Sequence, residues 1–282
     1  MKLSIITVNL NNRDGLRKTI DSVVSQTFKD FEWIVIDGGS TDGSRELIEQ
    51  YADHFAYWVS EPDKGIYNAM NKGIKVAKGE YLQFLNSGDI LYSPTIIDDV
   101  FSIGSTRDIL YGDILIINDD GHTDLITYSD RLSIKQLLNH SICHQSSFIK
   151  RELLRKEPYD ENLQIVSDWK FFLRKALEGI KFEHIPLIVS VFDTEGISST
   201  KPTLLSRERE MVLASEVPDC IICANEELNR LIEYRNTIVN DWQIDAILKL
   251  RESRRIYRKI LTVTLRLLES FDNVLSRSLT NK

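Results

Sequence analysis

Hydrophobic residues in the first hundred positions fall into short runs separated by helical patterns. Four runs rich in β-branched and aromatic residues predict buried strands: Leu3–Val8, Phe31–Asp37, Phe55–Ser60 and Glu80–Leu85. Between these runs, apolar residues recur at the spacing of one helix face. The alternation of strand and helix predicts right-handed βαβ units and a mostly parallel sheet in this half of the chain.

The second half of the chain is less regular. The segments "DILYGDILIIND", "DLITYSD", "SICHQSSFIK" and "KFEHIPLIVSVFD" predict strands, and a helix is predicted over 167–178. From Pro202 onward the patterns are helical only. We therefore expect an α/β domain over 1–200 and a C-terminal helical extension over 201–282.

The end of the extension predicts a basic amphipathic helix over 251–275. Its apolar face comprises Ile256, Ile260, Val263, Leu267, Phe271 and Val274, and its basic face Arg251, Arg255, Arg258, Lys259 and Arg266. Such a helix can lie on an anionic membrane surface, dock on its own domain or form a homodimer through a coiled coil. The pattern alone does not separate these alternatives.

Charge is distributed unevenly and limits the class of partner. The net charge is −7, and 248–282 carry nine basic and three acidic residues, so the rest of the chain carries −13. An acidic body disfavours nucleic acid as a main partner, since phosphate contacts need a basic surface. No apolar run reaches the roughly 20 residues that cross a bilayer. Three cysteines and no recognisable signal peptide predict a cytoplasmic protein.

Polar residues follow four successive strands of the predicted sheet. Strand one runs into Asn9, strand two ends on Asp37, strand three on "EPDKG", and strand four on "NSGD", Asn86–Asp89. Ligands of open α/β sheets bind beyond the carboxyl ends of the strands, so these groups predict a polar site. Caps and turns remain the simpler interpretation of each one taken singly.

The glycine-rich phosphate loops G-x-G-x-x-G and G-x-x-x-x-G-K-[ST] are both absent after strand one. An acidic crevice needs added positive charge to hold a pyrophosphate, and a divalent metal on one or two carboxylates supplies it. Asp89 suits that role, with Asn86 as a neutral oxygen donor nearby, and Asp37 could accept from a nucleobase N–H or a ribose hydroxyl.

The stretch "IVIDGGSTDGS … SEPDKGIYNAMNKGIKVAKGEYLQFLNSGDIL" closely resembles the family 2 inverting glycosyltransferases. It is most similar to the subgroup that builds bacterial surface polysaccharides such as O-antigen and capsule. The resemblance covers about 1–195 and implies the GT-A fold, a Rossmann-like mixed α/β sheet flanked by helices.

The resemblance also implies roles for particular residues. The nucleotide-sugar-binding set would be Thr7, Asn9, Asp37, Asp63, Lys64, Asn86 and Ser87. Asp89 would hold Mn²⁺ or Mg²⁺. Three positions depart from the family pattern: Asn86 and Gly88 replace acidic residues, and Met70 replaces an arginine. The changes at Asn86 and Gly88 could weaken metal binding. Met70 removes a phosphate contact, for which Lys64 or Lys72 could compensate.

Asp168 is the candidate catalytic base. It lies in the first turn of the predicted helix that starts near Ser167, where a carboxylate also stabilises the helix dipole by about 0.3–1 kcal/mol. The resemblance implies that Asp168 is the catalytic base, which would take the proton of the acceptor hydroxyl. It also implies acceptor or substrate contacts for His144, Gln145 and Trp169, with His144 alternatively on the metal side.

The expected function is transfer of a hexose or N-acetylhexosamine from a UDP-sugar to a saccharide acceptor, which the resemblance implies is linked to polyprenyl diphosphate. The resemblance also favours contact of the C-terminal helix with the inner face of the plasma membrane. Two alternatives remain: a sugar nucleotidyltransferase, which "VNLNNRDG" does not support, and a catalytically lapsed, membrane-docked partner of another transferase.

Overall fold

The computed structural model describes residues 1–118, 122–193 and 201–239, and its centre is a mixed sheet of nine strands. The strands are β1 (Leu3–Asn9), β2 (Phe31–Asp37), β3 (Tyr57–Ser60), β4 (Tyr81–Phe84), β5 (Ile90–Leu91), β6 (Ile109–Ile117), β7 (Thr123–Ile126), β8 (Ser147–Lys150) and β9 (Phe182–Asp193). The helices are α1 (Arg13–Val24), α2 (Ser44–Gln50), α3 (Ile66–Val76), α4 (Ile96–Ser102), α5 (Ile134–Asn139), α6 (Arg151–Lys156), α7 (Ser167–Leu177), α8 (Pro202–Glu216) and α9 (Asp219–Val239).

The sheet has the order β3-β2-β1-β4-β8-β6-β9-β5, with β7 paired to β6. Strands β1 to β4 are mutually parallel, as the βαβ pattern predicts. Their carboxyl ends therefore meet at one edge. Strand β8 then pairs antiparallel to both β4 and β6, which makes the sheet mixed.

The parallel half is tightly packed by its crossover helices. Leu3, Ile5 and Ile34 on the strands are at most 1% exposed. Helix α3 approaches β1 so closely that a Cβ on Gly73 would lie 2.5 Å from Cγ2 of Ile6. The strand ends are consequently fixed by a rigid core.

Several short elements were not predicted from the sequence. Helices α4, α5 and α6 have six or seven residues each, too few for a helical period to stand out. Residues 144–146 form a 3₁₀ turn before β8, where the sequence pattern predicted strand throughout.

A first compact unit spans 1–218, and α9 belongs to a second one. Helix α8 packs within the first unit: Val212 is 2% exposed, and Glu208 is 5% exposed and bonded to the backbone before α7. The sequence pattern placed α8 in the C-terminal extension because the residues on both sides of Pro218 have the same helical character. The predicted basic helix over 251–275 lies outside the described residues.

Crossing a bilayer requires a helix that is both long and apolar. Within the described ranges, no helix combines these two properties.

Candidate functional site

Three polar residues form one row across the carboxyl edge of the parallel strands. Asn9 on β1 is in register with Asp37 on β2, and Asp37 is in register with Ser60 on β3. Nδ2 of Asn9 donates to Oδ1 of Asp37 at 2.7 Å, and the Ser60 hydroxyl donates to Oδ2 at 2.6 Å. The structure therefore joins the ends of β1, β2 and β3 through one carboxylate.

The Asp37 carboxylate is also bonded to the loop after β2. Ser40 donates its backbone N–H to Oδ2 at 3.0 Å and its hydroxyl to Oδ1 at 2.5 Å. A carboxylate has about four acceptor positions, and donors of this chain fill all four. Burial opposes ionisation of Asp37, but the hydrogen bonds from Ser40, Ser60 and Asn9 outweigh it and hold the pKa below its ordinary value. A ligand hydroxyl at Asp37 would have to replace one of the serine donors.

The loop after β3 lies beside this row. Asp63 has 7% of its side chain exposed and pairs with Lys72, which also binds Glu61 at 2.8 Å. Oδ2 of Asp63 would lie 3.1 Å from a Cβ on Gly38, so the carboxylate covers the residue after Asp37. Lys64 is exposed at the same loop. The structure thus brings Asp63 beside the residue that follows Asp37, and Lys72 neutralises part of the acidic charge.

Residues 86–89 form a tight turn after β4, which we call the 86–89 turn. Its ends are joined by a backbone bond from Asp89 N to Asn86 O at 3.0 Å and by Asn86 N donating to Oδ2 of Asp89 at 2.9 Å. Gly88 has φ = +107°, a conformation that side-chain-bearing residues rarely adopt. Ser87 N donates to Val8 O at 3.0 Å, which ties the turn to the end of β1.

His144 connects the 86–89 turn to Asp168. Its Nδ1 lies 2.9 Å from Oδ2 of Asp168, and its Nε2 lies 3.0 Å from Nδ2 of Asn86. Asp168 lies in the first turn of α7 and His144 in the 3₁₀ turn before β8, so residues 86, 144 and 168 meet only through the fold. Both side chains are mostly buried, with 20% of His144 and 13% of Asp168 exposed.

The two partners shift each other's titration in opposite directions. For Asp168, burial favours the neutral acid, but the hydrogen bond and charge of His144 and the Tyr67 hydroxyl outweigh it, so the pKa is lowered. For His144, burial favours the neutral ring, but Asp168 and the more distant charge of Asp89 raise its pKa. The pair is therefore favoured as imidazolium and carboxylate.

The charge state of His144 sets the orientation of the Asn86 amide. A neutral ring that donates from Nδ1 accepts from Nδ2 of Asn86, and Oδ1 of Asn86 then stays buried without a partner. A protonated ring donates at both nitrogens, and a turned Asn86 amide accepts through Oδ1. The second arrangement gives that oxygen a partner and agrees with the raised pKa of His144.

Tyr67 is a further neighbour of the candidate base. Its hydroxyl lies 2.9 Å from Oδ1 of Asp168 and 2.6 Å from Ile165 O, and burial with the nearby Asp168 charge raises its pKa well above normal. Tyr67 therefore stays protonated and fixes the carboxylate from α3. Tyr67 was not identified from the sequence. The available signal was a tyrosine on the buried face of the helix that became α3, within the stretch that carries the family resemblance.

Four residues considered on sequence grounds have buried side chains. Trp169 is 1% exposed, donates from Nε1 to Leu137 O at 2.6 Å, and was expected to flank a sugar. Thr7 is fully buried and accepts from the Trp33 indole at 3.0 Å. Gln145 is 4% exposed and Met70 is 1% exposed. All four side chains are buried, as are those of Asn9 and Asp37, and the contacts of Thr7, Gln145 and Trp169 with substrate stay predictions.

The oxygen donors around Asp89 decide whether the predicted metal ion fits there. Among residues 1–118, 122–193 and 201–239, no group of three or more His, Cys, Asp or Glu side chains is arranged to hold a metal ion. The 86–89 turn instead offers one buried carboxylate, Asp89. Mg²⁺ is commonly held by one or two carboxylates with substrate phosphates completing its shell, so this donor set fits a metal that arrives with a diphosphate.

Comparisons with known proteins agree with this architecture. The family model described as "Glycosyl transferase family 2" matches residues 4–180. An uncharacterised glycosyltransferase of Mycobacterium tuberculosis is 36% identical over 208 residues, covering 70% of this chain and 77% of the relative. A "PGL/p-HBAD biosynthesis glycosyltransferase" of the same species is 34% identical over 211 residues, covering 70% and 79%.

Two solved structures share the fold. S. aureus TarS 1–349 in complex with UDP-GlcNAc superposes with a TM-score of 0.60 at 18% identity, covering 77% of this chain and 68% of that one. The mannosyltransferase PcManGT from Pyrobaculum calidifontis, in complex with GDP-Man and Mn²⁺, gives 0.53 at 15% identity, covering 95% and 85%. The likeness supports the GT-A-like sheet and the expected fold class.

The family match spans most of the α/β unit and includes Asp37, Asp89 and Asp168. Together with relatives more than 30% identical over 70% of the chain, it makes the assignment secure. The chain is an enzyme of glycosyl transferase family 2.

Proposed function

We propose that this enzyme transfers a hexose or N-acetylhexosamine from a UDP-sugar to a saccharide acceptor, with inversion at the anomeric carbon. The observation that carries the proposal is the link Asn86–His144–Asp168, with contacts of 3.0 and 2.9 Å. It sets a candidate base beside the turn that fits a metal and a diphosphate. The departing diphosphate would then be bound at the turn, and the attacking acceptor hydroxyl would be deprotonated by the base beside it.

The donor would lie along the carboxyl edge of β1 to β4. Its nucleoside would sit near Asn9 and Asp37, with the loop of Asp63 and Lys64 beside it and a ribose or uracil donor replacing Ser40 or Ser60 at the carboxylate. The diphosphate would extend toward Asn86, Ser87 and Asp89. This order follows the row of strand ends from β2 toward β4.

Mn²⁺ or Mg²⁺ would be held by Asp89, with Asn86 as a neutral neighbour. The ion would neutralise the charge that develops on the departing diphosphate. Asp89 is oriented for this by its own turn, because Asn86 N binds Oδ2 at 2.9 Å. Only one carboxylate is available in the turn, so binding of metal and nucleotide should depend on each other.

Asp168 would act as the general base. It takes the proton from the acceptor hydroxyl while that oxygen forms a bond to the anomeric carbon, and the bond from that carbon to the diphosphate oxygen breaks. UDP leaves with the bonding electron pair, and the sugar ends on the acceptor with inverted configuration. Its lowered pKa keeps Asp168 ionised at neutral pH, and Tyr67 and His144 fix its two oxygens.

The choice of a UDP-sugar is supported by one of the two fold relatives and by the family resemblance. TarS is seen with UDP-GlcNAc, whereas PcManGT is seen with GDP-Man. A lipid-linked saccharide acceptor in bacterial surface polysaccharide synthesis is supported by the subgroup resemblance. Contact of the 251–275 helix with the membrane, or a homodimer through it, remains a prediction from the sequence pattern.

Nucleotide preference is the direct test of the donor proposal. Calorimetric titration of the full chain with UDP, GDP and ADP, each with Mn²⁺, should show UDP binding at least about tenfold more tightly, a difference of about 1.4 kcal/mol. Asp53→Ala, an exposed substitution away from the strand ends, should leave the UDP affinity unchanged. Preference for GDP would overturn the UDP proposal, and equal affinity for all three would remove a base-specific pocket.

A catalytically lapsed partner of another transferase is the competing function. Asn86 and Gly88, which replace acidic residues of the family pattern, are the observations in its favour. The fixed pair of Asp168 and His144 counts against it. UDP-sugar binding without hydrolysis or transfer on any saccharide acceptor would favour the lapsed partner.

A further inference from the structure

We propose that Thr19 and Asn12 at α1 are positioning residues that hold the 86–89 turn in the shape that binds metal and diphosphate. This inference rests on the proposed function of that turn. Neither residue was singled out on sequence grounds for such a role. Their part is to fix the backbone that carries Asp89, without touching the reacting atoms.

Thr19 is fully buried, and its hydroxyl lies at the centre of the turn. The hydroxyl oxygen accepts from Gly88 N at 3.0 Å and lies 2.8 Å from Asp89 O, its nearest acceptor. Asn86 O and Gly15 O are further away, both at 3.2 Å. The Thr19 hydroxyl therefore bonds both a backbone N–H and a backbone carbonyl of the turn. It does so from α1, which the sheet core holds rigidly.

Asn12 contacts the same turn from the beginning of α1. Its Oδ1 caps the helix by accepting from Gly15 N at 3.0 Å, and its Nδ2 donates to Ser87 O at 3.0 Å. Asn12 thus connects the helix cap to the turn. Its side chain is exposed, unlike that of Thr19, so it can be changed with little disturbance of the core.

These contacts fix the backbone atoms on both sides of Gly88. With φ of +107°, Gly88 permits a conformation that the turn sequence alone does not enforce. Without the Thr19 hydroxyl, Gly88 N and Asp89 O would lose their shared partner in a buried place, and the turn would relax. The direction of the Asp89 carboxylate, set by Asn86 N, would change with it.

The expected defect is in donor binding. Tyr67 on α3 holds Asp168 without contacting the turn, so the geometry of the base should persist even where the His144 contact with Asn86 loosens. A relaxed turn should weaken binding of nucleotide with metal and raise the donor KM. The turnover number at saturating donor should change much less.

Thr19→Val tests this, because valine keeps the shape of threonine and removes its hydroxyl. By calorimetry, UDP with Mn²⁺ should bind Thr19→Val about tenfold more weakly than wild type. Thr19→Ser restores the hydroxyl and should bind within about twofold of wild type. Ser25→Ala is the matched control, since the Ser25 hydroxyl at the end of the same helix bonds Ser22 O instead of the turn.

Asn12→Ser gives a second, independent test. Serine caps helices about as well as asparagine but lacks the amide that reaches Ser87 O. We expect a severalfold loss of UDP affinity in the presence of Mn²⁺ with an unchanged melting temperature. If Thr19→Val fails to fold, Asn12→Ser decides the question.

The outcomes separate the inference from the function it rests on. Wild-type affinity in a folded Thr19→Val, or in Asn12→Ser, would overturn the positioning role while leaving the donor site intact. Equal weakening in Ser25→Ala would overturn it too, since the effect would then be general to α1. A wild-type chain that binds no UDP would remove the proposed function, and this inference with it.

Discussion

Asp168→Asn should lower the turnover number by about 10²–10⁴-fold, the range expected when a general base is removed. Asparagine has nearly the shape of aspartate and retains one acceptor for Tyr67 or His144, but it cannot take a proton from the acceptor hydroxyl. UDP affinity with Mn²⁺ should stay within about threefold of wild type. Transfer or donor hydrolysis and calorimetry on the same preparation measure the two effects.

Asp160→Asn is the matched control for the loss of one carboxylate near α7. Asp160 pairs with Lys170 at 2.8 Å, and although burial opposes its ionisation, hydrogen bonds from Lys170 and Asn162 lower its pKa as well. Its removal should leave turnover within a few-fold. Full activity of Asp168→Asn would show that another group accepts the proton.

The pH profile of the same reaction gives a signed test. The proposed base Asp168 would act in its ionised form, and its pKa is lowered by His144 and Tyr67 despite burial, so its contribution is lost only as the pH falls through that lowered pKa. Asp168 should therefore impose no acid limb on kcat/KM between about pH 5 and pH 8. An acid limb in that window that disappears in Asp168→Asn would contradict the lowered pKa.

Glu208→Ala should destabilise the first unit by about 3 kcal/mol and reduce activity with it. Oε1 of Glu208 accepts from Gln164 N at 2.7 Å, and Oε2 accepts from the next two N–H groups at 2.9 and 3.3 Å. The bond from Val166 N is buried and the other two are partly buried, and a buried donor left without a partner costs about 1–3 kcal/mol. For a domain of this size, the melting temperature should fall by about 6–12 °C.

The activity loss follows from where those N–H groups lie. Ile165 O accepts from the Tyr67 hydroxyl, and Asp168 lies at the start of the next helix, so a loosened 164–166 segment would displace the candidate base. Glu208→Gln keeps one acceptor oxygen and should lose less stability. Glu210→Ala, exposed on the same helix, should change stability by less than about 0.5 kcal/mol. Equal effects of Glu208→Ala and Glu210→Ala on melting and activity would contradict this role of Glu208.

The sequence predicts the parallel half of the fold well because its signal is strong and local. Strands β1 and β2 are seven-residue runs with caps and helices between them, and their order follows from βαβ handedness. Asp37 and Asp89 were identifiable because they stand at or just after the ends of such strands. The side chains that complete the site, such as Ser60 on Asp37, become visible only once strand register is known.

The part of the candidate site around His144 and Asp168 was less predictable, for physical reasons that differ between residues. Trp169 follows Asp168 in sequence, but a helix sends successive side chains about 100° apart, and the indole points into the core toward α5. Glu208 bonds to backbone N–H groups, which leave no trace in residue identity. The contact of His144 with both Asn86 and Asp168 depends on three distant segments meeting, and no local pattern encodes it.

The proposed donor site at the 86–89 turn is tested most directly by calorimetric titration of UDP with and without Mn²⁺, on the wild type and on Asp89→Ala. We expect binding to the wild type that requires the metal and is abolished by Asp89→Ala. Asp21→Ala, an exposed carboxylate on α1, should leave it unchanged. Absence of UDP binding under every condition would contradict the donor site, and tight binding indifferent to both Mn²⁺ and Asp89 would remove the metal from the 86–89 turn.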